Sequence, residues 1–278
     1  MLTTVSPTYA REIQGPGFGC GLDGVLRSRK DDLWGILNGI DSRVWNPATD
    51  PHLPANFSLE DMSGKRVCKA ALQREAGLPQ RPDVPVIGLV ARLTHQKGLD
   101  VLAHALRRIL DLEVQFVLLG TGDPDAEAFF SMVSKQRPTR FHAWIKFDPA
   151  LAHRIEAGSD FFMMPSRYEP CGLNQLYSLE YGTLPIVRST GGLADSVENY
   201  DEATGGGTGF KLHDLNSGSV YDAVGWAVST WYDRPQHIRA MRRRAMKQDF
   251  SWEIAAQRYV DVYHHAMDRK PLSQWPSQ

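Results

Sequence analysis

The chain has 278 residues, and its 31 Lys and Arg side chains nearly balance 32 Asp and Glu, which gives a formal net charge of −1. Hydrophobic residues make up 42% and charged residues 23% of the sequence, a composition typical of globular rather than disordered proteins. This charge gives no reason to expect a nucleic acid or a membrane surface as a partner, and no apolar run approaches the ~20 residues that span a bilayer. The length suggests one large domain or two small ones.

The spacing of cysteine and histidine bears on metals and on the cell compartment. The three cysteines, Cys20, Cys68 and Cys171, have no paired spacing, and the histidines do not have the spacing of a metal motif. This pattern argues against a disulfide framework and against a zinc site, and it favours a reducing compartment, so we expect a cytoplasmic protein. Cys20 and Cys68 are expected to pack as small apolar side chains.

The first 40 residues differ from the rest of the chain, and a second irregular stretch follows them. Residues 8–13 could form a helical turn, but glycines and a proline between residues 15 and 24 predict that regular structure is broken there. Prolines between residues 47 and 54 indicate an irregular surface connection. Regular periodicity begins at Ser63, where the apolar spacing predicts a helix that ends at Gly77.

Strands and helices alternate from Val84 onward. Continuous apolar runs predict strands buried on both faces, and apolar residues at three- and four-residue intervals predict helices between them. Strands joined by helices form right-handed βαβ units, so we predict an α/β fold, a Rossmann-like parallel sheet with helices on both faces. The predicted strands cover residues 86–91, 114–119, 141–145, 161–164 and 184–187, and three closing helices cover about 219–232, 236–248 and 251–267.

Ligands of such sheets bind outside the carboxyl ends of the strands, so the loops there are candidate sites. After the first predicted strand, Arg92 and Lys97 flank a loop that opens a helix. Backbone N–H groups and the helix dipole also favour an anion at that place. The loop therefore predicts a diphosphate site, with a solvated basic loop as the alternative.

Glycines and a carboxylate follow the other predicted strands. Gly-Thr-Gly at residues 120–122 and Thr-Gly-Gly at 190–192 allow a ligand to approach the backbone closely, although each turn alone is weak evidence. Glu169 precedes the backbone amides of Gly172 and Leu173, so one loop offers an acceptor for sugar hydroxyls and donors for phosphate oxygens. Four such loops on one sheet edge predict a protein that binds a nucleotide or a nucleotide sugar.

Five segments, in order along nearly the whole chain, resemble blocks of the bacterial glycogen synthase and plant starch synthase family. They are TVSPTYA at 4–10, ILNGID at 36–41, ARLTHQKGLD at 91–100, SRYEPCGLNQLY at 166–177 and TGGLAD at 190–195. The resemblance implies a glycosyltransferase of the GT-B type, in which two Rossmann-like domains enclose the active site. It also implies transfer of glucose from ADP-glucose to the non-reducing end of an α-1,4-glucan, with retention of configuration and without a metal or other cofactor.

The same resemblance implies roles for individual residues. Arg92 and Lys97 would hold the diphosphate and stabilise the departing ADP, and Glu169 would accept hydrogen bonds from the donor glucose; these three are the predicted catalytic residues. Phe147 could stack on adenine, although Lys146-Phe147 stands where the family usually has Gly-Tyr, and Tyr177 stands where many relatives of the fold have a second glutamate. The predicted nucleotide-sugar-binding residues are Asn38, Gly120, Gly122, Phe147, Cys171, Gly172, Leu173, Asn174, Gly191 and Gly192.

The resemblance divides the chain into three parts. Residues 1–60 would be a remnant of an N-terminal domain with the interdomain crossover, residues 61–268 the C-terminal nucleotide-sugar-binding domain, and residues 269–278 a tail. Because most of the acceptor-holding N-terminal domain is missing from this sequence, we expect the chain to bind ADP or ADP-glucose but to be inactive alone. The alternatives are a non-catalytic ADP-sugar-binding module and a related GT-B glycosyltransferase with another donor.

Overall fold

A small parallel strand pair begins the chain in the computed structural model, which describes residues 1–269. Leu2 pairs with Leu33 and Thr4 with Gly35, so the two strands run in register over three residues. The elements of this N-terminal part are β1 (Leu2–Thr4), α1 (Pro7–Glu12), α2 (Asp23–Ser28) and β2 (Leu33–Gly35). Ser6 starts α1, because its side chain accepts a hydrogen bond from the backbone of Tyr9.

The centre of the molecule is a six-stranded sheet in which all neighbouring strands are parallel. Its order is β5-β4-β3-β6-β7-β8, so the chain reverses direction across the sheet between β3 and β6. This arrangement confirms the predicted Rossmann-like α/β class. The strands are β3 (Val86–Val90), β4 (Gln115–Leu119), β5 (Phe141–Trp144), β6 (Phe161–Met164), β7 (Leu184–Arg188) and β8 (Phe210–Leu212).

Helices cover both faces of the sheet. Alternate residues of β4 show the two cores: Phe116 and Leu118 pack in one, and Val117 and Leu119 pack in the other. The first core is closed mainly by α4, α5, α9 and α10, and the second by α3 and α6. The helices are α3 (Ser63–Glu75), α4 (Leu99–Asp111), α5 (Pro124–Gln136), α6 (Pro149–Gly158), α7 (Asn174–Glu180), α8 (Gly191–Ser196), α9 (Ser217–Asp233), α10 (Pro235–Ala245) and α11 (Trp252–Arg269).

Three expectations from the sequence are wrong. Strand β8 was not predicted, because a three-residue strand is too short to show a pattern and forms by pairing with β7. Helix α2 begins inside the stretch that the glycines predicted to be irregular. Cys20 is exposed and has a φ of 50°, so it belongs to a tight turn and not to the core, whereas Cys68 is buried as expected.

Buried charges tie α3 and α10 to the sheet. Asp160, just before β6, forms ion pairs with Lys69 at 2.7 Å and with Arg242 at 2.6 Å. Burial raises the pKa of the Asp160 carboxyl, but the two cations outweigh burial and hold the pKa below its ordinary value. The Nζ of Lys65 donates to three uncharged oxygens, Ala157 O, Tyr181 O and Thr183 Oγ1. Burial and the nearby Arg242 lower the pKa of Lys65 to about 7.

The N-terminal part packs against the large sheet domain. Thr8 donates to the Asp195 carboxylate through its backbone N–H at 2.7 Å and its hydroxyl at 2.6 Å, which joins α1 to α8. Helix α11 returns to the same part, where the rings of Trp34 and His265 lie 5.4 Å apart. The boundary at residue 60 stays a prediction, and the predicted tail lies outside the described residues apart from Arg269. No helix within residues 1–269 combines the length and apolarity needed to cross a membrane.

Candidate active site

A cavity of about 450 Å³ lies at the carboxyl ends of β3, β4 and β6, the edge where the parallel sheet was predicted to bind its ligand. Its volume falls in the range of ligand pockets, roughly 300–1,000 Å³. The structure brings together eight of the predicted site residues as its lining: Arg92, Lys97, Gly120, Phe147, Glu169, Gly172, Leu173 and Asn174. The other five, Asn38, Gly122, Cys171, Gly191 and Gly192, lie outside the cavity lining.

The loops that follow β3 and β6 are braced against each other. Arg167 donates to the Asp100 carboxylate through both terminal guanidinium nitrogens, at 2.6 and 2.7 Å, and its backbone N–H donates to Gln96 O at 2.8 Å. Gly98 makes this approach possible, because it has a φ of +67° and a Cβ there would lie 2.0 Å from Pro165 O. The loop with the cations and the loop with the carboxylate therefore form one rigid unit.

Lys97 and Glu169, which the sequence placed in separate roles, form a direct ion pair. Lys97 Nζ lies 2.6 Å from Glu169 Oε2, and the same oxygen accepts a hydrogen bond from Ser166 Oγ at 2.8 Å. Only 18% of the Lys97 side chain and 8% of the Glu169 side chain are exposed. Arg92 is exposed at the cavity and forms no ion pair within residues 1–269, so its charge is available to an anionic ligand.

Asn174 begins α7 at the cavity, and its side chain is hydrogen-bonded to the central sheet. One N–H of its side-chain amide donates to Val90 O, the last carbonyl of β3, at 2.6 Å. The nearby Gln175 amide donates to Cys171 O at 3.1 Å and Gly172 O at 3.0 Å, which fixes the loop that precedes the helix. The predicted contact of Asn174 with the nucleotide sugar would therefore use its second N–H, and it stays a prediction.

Gly191 and Gly192 pack against the backbone of the loop that carries Glu169. A Cβ at Gly191 would lie 1.9 Å from Glu169 O, and one at Gly192 would lie 1.8 Å from Cys171 O. Gly192 also donates its backbone N–H to Glu169 O at 3.0 Å. Their observed contacts are thus with this loop, which they hold against α8. The backbone N–H of Gly191 donates to the Glu12 carboxylate at 3.1 Å.

The remaining predicted residues have contacts of a similar kind. Gly122 lies against the Leu93 backbone, where a Cβ would be 2.5 Å from Leu93 O, so it shapes the loops after β3 and β4. The backbone of Asn38 forms a hydrogen bond with the thiol of Cys171, in the loop that carries Glu169. Burial raises the pKa of this thiol, and the hydrogen bond from Asn38 partly offsets the rise. Phe147 is 87% exposed at the cavity rim, which leaves its ring free for the predicted stacking.

Lys146, the residue that departs from the family pattern, forms an ion pair within its own loop. Its Nζ lies 2.7 Å from Asp148 Oδ2, while Asp148 Oδ1 accepts the backbone N–H of Leu151 at 2.9 Å and caps α6. The lysine is thus paired within its own loop and also lines the cavity. Within residues 1–269, no group of three or more His, Cys, Asp or Glu side chains is arranged to hold a metal ion.

Trp45 is a cavity residue that the sequence did not reveal. Its ring is stacked between His153 of α6, at 3.8 Å and 7°, and Tyr177 of α7, at 3.7 Å and 8°. Buried Asp50 holds this stack, because it accepts hydrogen bonds from His153 Nδ1 at 2.7 Å and from the Tyr181 hydroxyl at 2.6 Å. The contacts join residues more than a hundred positions apart, so no local pattern could have shown them.

The parallel sheet and the cation-lined cavity at its carboxyl edge define an α/β domain with a candidate site for an anionic ligand. Two family models match the chain: "Glycosyl transferases group 1" over residues 73–244 and "Starch synthase catalytic domain" over residues 1–28. The chain belongs to the glycosyl transferases group 1 family, and within it the resemblance to glycogen and starch synthases is confirmed.

Similar proteins support the same assignment. Glycogen synthase 1 of Geobacter metallireducens is 54% identical over 270 residues, which are 97% of this chain and 54% of that protein. Glycogen synthase of Anaeromyxobacter sp. (strain Fw109-5) is 55% identical over 262 residues, 94% of this chain and 55% of that protein. The chain thus spans about half the length of these relatives.

Solved structures agree with this result. The catalytic domain of Starch Synthase IV from Arabidopsis thaliana, bound to ADP and acarbose, superposes with a TM-score of 0.90 at 37% identity, over 96% of this chain and 56% of that one. Anabaena HepE in complex with UDP-glucose superposes with a TM-score of 0.65 at 16% identity, over 95% of this chain and 64% of that one, which shows the shared fold alone.

Proposed function

We propose that this protein carries the donor site of an enzyme that transfers glucose from ADP-glucose to the non-reducing end of an α-1,4-glucan, with retention of configuration. The observation that carries the proposal is the Lys97–Glu169 ion pair in a cavity that the exposed Arg92 also lines. Two cations and one carboxylate at one place match the charges of a nucleotide sugar, whose diphosphate is anionic and whose glucose carries hydroxyl donors. The similarity to a starch synthase bound to ADP supports the choice of nucleotide.

The two cations would act on the diphosphate. Negative charge grows on the leaving ADP as the bond to glucose breaks, and positioned cations in a shielded cavity stabilise that charge most effectively. Lys97 has three N–H donors, so it can keep Glu169 and still bind a phosphate oxygen. Arg92, at the exposed side of the same cavity, would bind the phosphates in addition.

Glu169 would act on the glucose. Its carboxylate accepts hydrogen bonds only, and Ser166 and Lys97 hold one of its oxygens, so the other is available to a sugar hydroxyl. A carboxylate there also stabilises the positive charge that develops on the sugar ring during transfer. The backbone around Gly172 and Leu173 would contact the sugar and phosphates, and the exposed ring of Phe147 would stack on adenine.

Calorimetry on the polypeptide of residues 1–278 tests the donor assignment. We expect ADP and ADP-glucose to bind more tightly than glucose alone, because the cations address the diphosphate. They should also bind more tightly than UDP-glucose, because Phe147 would stack on the larger adenine ring. Preference for UDP-glucose would instead support a related glycosyltransferase with another donor. Absence of binding to any nucleotide would refute the donor site.

Transfer is measured with radiolabelled ADP-glucose and glycogen. We expect the polypeptide of residues 1–278 to bind the donor without transferring glucose, since acceptor and donor must be held together while water is excluded. Joined to the N-terminal part of the Geobacter metallireducens relative, of which it matches 54% of the length, the same chain should support transfer. A joined protein that binds ADP-glucose but releases neither ADP nor labelled glucan would support a non-catalytic binding module instead.

A further inference from the structure

Trp45 offers the cavity an edge and not a face. His153 and Tyr177 cover the two faces of its ring in nearly parallel stacks at 3.8 and 3.7 Å. The ring therefore cannot stack on a base or a sugar, although it belongs to the cavity wall. What it presents to a ligand is its rim, and the one polar atom of an indole rim is the Nε1–H donor.

The position of this ring is fixed before any ligand arrives. Asp50, whose side chain is fully buried, holds His153 through Nδ1 at 2.7 Å and Tyr181 through its hydroxyl at 2.6 Å. Tyr181 in turn meets the Trp45 ring edge-on, with centroids 6.2 Å apart. A side chain held on three sides loses little freedom on binding, so its contacts with a ligand are not offset by an ordering cost.

The indole N–H has no acceptor among residues 1–269. It forms no hydrogen bond there, and it is absent from the buried polar atoms that lack a partner, so it remains accessible. Indole N–H groups that are buried usually have a hydrogen-bond partner. A ligand that displaced water from this edge of the cavity would have to supply an acceptor, or the unpaired donor would weaken binding.

The place of Trp45 in the cavity indicates which part of a ligand it meets. His153 follows Ala152, which lines the cavity next to the rim at residues 147–149, and Tyr177 lies one turn after Asn174 at the start of α7. Trp45 thus lies between the rim proposed for the base and the helix start proposed for the diphosphate. In a nucleoside diphosphate, the ribose joins these two parts.

We propose that Trp45 is a ribose-binding residue, whose Nε1–H donates to a ribose hydroxyl oxygen of the nucleotide. The inference rests on the proposed function, because it places ADP in this cavity. Here a tryptophan from the 41–50 segment would recognise the sugar of the nucleotide, while Tyr177 serves as the surface on which the tryptophan is stacked.

Calorimetry with ADP, 2′-deoxy-ADP and 3′-deoxy-ADP tests the proposal on the polypeptide of residues 1–278. The unmodified chain should bind ADP about tenfold more tightly than one of the deoxy nucleotides, the scale of one hydrogen bond. Trp45→Phe keeps an aromatic ring for the stack but lacks the N–H, so it should bind ADP about tenfold more weakly. It should then bind ADP and that deoxy nucleotide with equal affinity. Trp252→Phe, at an exposed tryptophan of α11, is the matched control and should change nothing.

The outcomes separate this inference from the proposed function. Equal affinity of the unmodified chain for all three nucleotides would by itself overturn the ribose contact. A Trp45→Phe chain that still prefers ADP to the deoxy nucleotide would overturn it as well. A folded, unmodified chain that binds no adenine nucleotide would overturn the proposed function and the inference together. Circular dichroism of Trp45→Phe confirms that a loss of affinity is not a loss of fold.

Discussion

Replacing Lys97 with methionine should weaken ADP binding more than any other single change at a cation of the cavity. Lys97 Nζ lies 2.6 Å from Glu169 Oε2, and both side chains are largely buried. Methionine fills a similar volume without the charge, so Glu169 keeps only Ser166 Oγ as a hydrogen-bond donor. The variant therefore removes a cation from the phosphate site and also uncovers a carboxylate beside it.

The expected magnitude follows from both effects. Loss of a hydrogen bond between charged groups costs about 1.5–3 kcal/mol. Two unit charges 4 Å apart at an effective dielectric constant of 20 interact by about 4 kcal/mol, and solvent at the open cavity reduces the repulsion between Glu169 and the diphosphate to roughly 1 kcal/mol or more. A total of about 2.5–4 kcal/mol raises the Kd for ADP by a factor of roughly 60 to 700. Arg92 is exposed, so Arg92→Ala should cost about 1.5 kcal/mol, or roughly tenfold.

Calorimetry on a double-mutant cycle measures the repulsion separately. Adding Glu169→Gln to Lys97→Met removes the uncovered carboxylate and should recover at least about fivefold in ADP affinity, the equivalent of 1 kcal/mol. Lys135→Met, at an exposed lysine of α5, is the matched control. The reasoning is refuted if Lys97→Met binds ADP no more weakly than Arg92→Ala, or if the two changes at Lys97 and Glu169 are additive.

Three further predictions concern stability and catalysis. Gly98→Ala should lower the free energy of unfolding in urea by about 2 kcal/mol more than Gly77→Ala, because both glycines have a φ of +67° but only Gly98 meets a neighbouring carbonyl; equal losses would contradict the role of close approach. Burial lowers the pKa of Lys65 from 10.5 to about 7, so between these two pH values the unfolded state holds one proton more than the folded state. The free energy of unfolding therefore increases by up to ~1.4 kcal/mol per pH unit as the pH rises through this range. Lys65→Met should lack that gain in pH-dependent urea titrations, and identical pH profiles would contradict the assignment. In the joined protein, Glu169→Gln should reduce turnover at least ~100-fold while ADP binds no more weakly, and near-normal turnover would show that Glu169 is only structural.

Local sequence patterns determined the elements that carry the donor site. Strands β3, β4 and β6 are four or five residues long, and nearly all their residues are apolar and buried, so each can be recognised from its own sequence. Because parallel strands point their carboxyl ends to one edge, the sequence also placed Arg92 and Glu169 near each other. The charge and hydrogen-bonding chemistry of those side chains then indicated a nucleotide sugar.

Only the tertiary structure decided which interaction partners these residues have. Lys97 and Glu169 are 72 positions apart, and their ion pair exists because Gly98 lets the two loops touch. The same holds for Gly191, whose observed contacts are with the Glu169 backbone and the Glu12 carboxylate, while the ligand contact assigned to it from the sequence stays a prediction. A residue type fixes which interactions are possible, but its partner depends on which segments the folded chain brings into contact.

Trp45 shows the same limit most clearly. Nothing in the residues around it marks a binding position, since its neighbours form an irregular connection between two regular regions. It reaches the cavity because Asp50 anchors this connection to α6 and to the residue that follows α7, through His153 and Tyr181. Local propensity and periodicity carry no information about such contacts, because burial and hydrogen bonding between distant segments arise only when the whole chain packs.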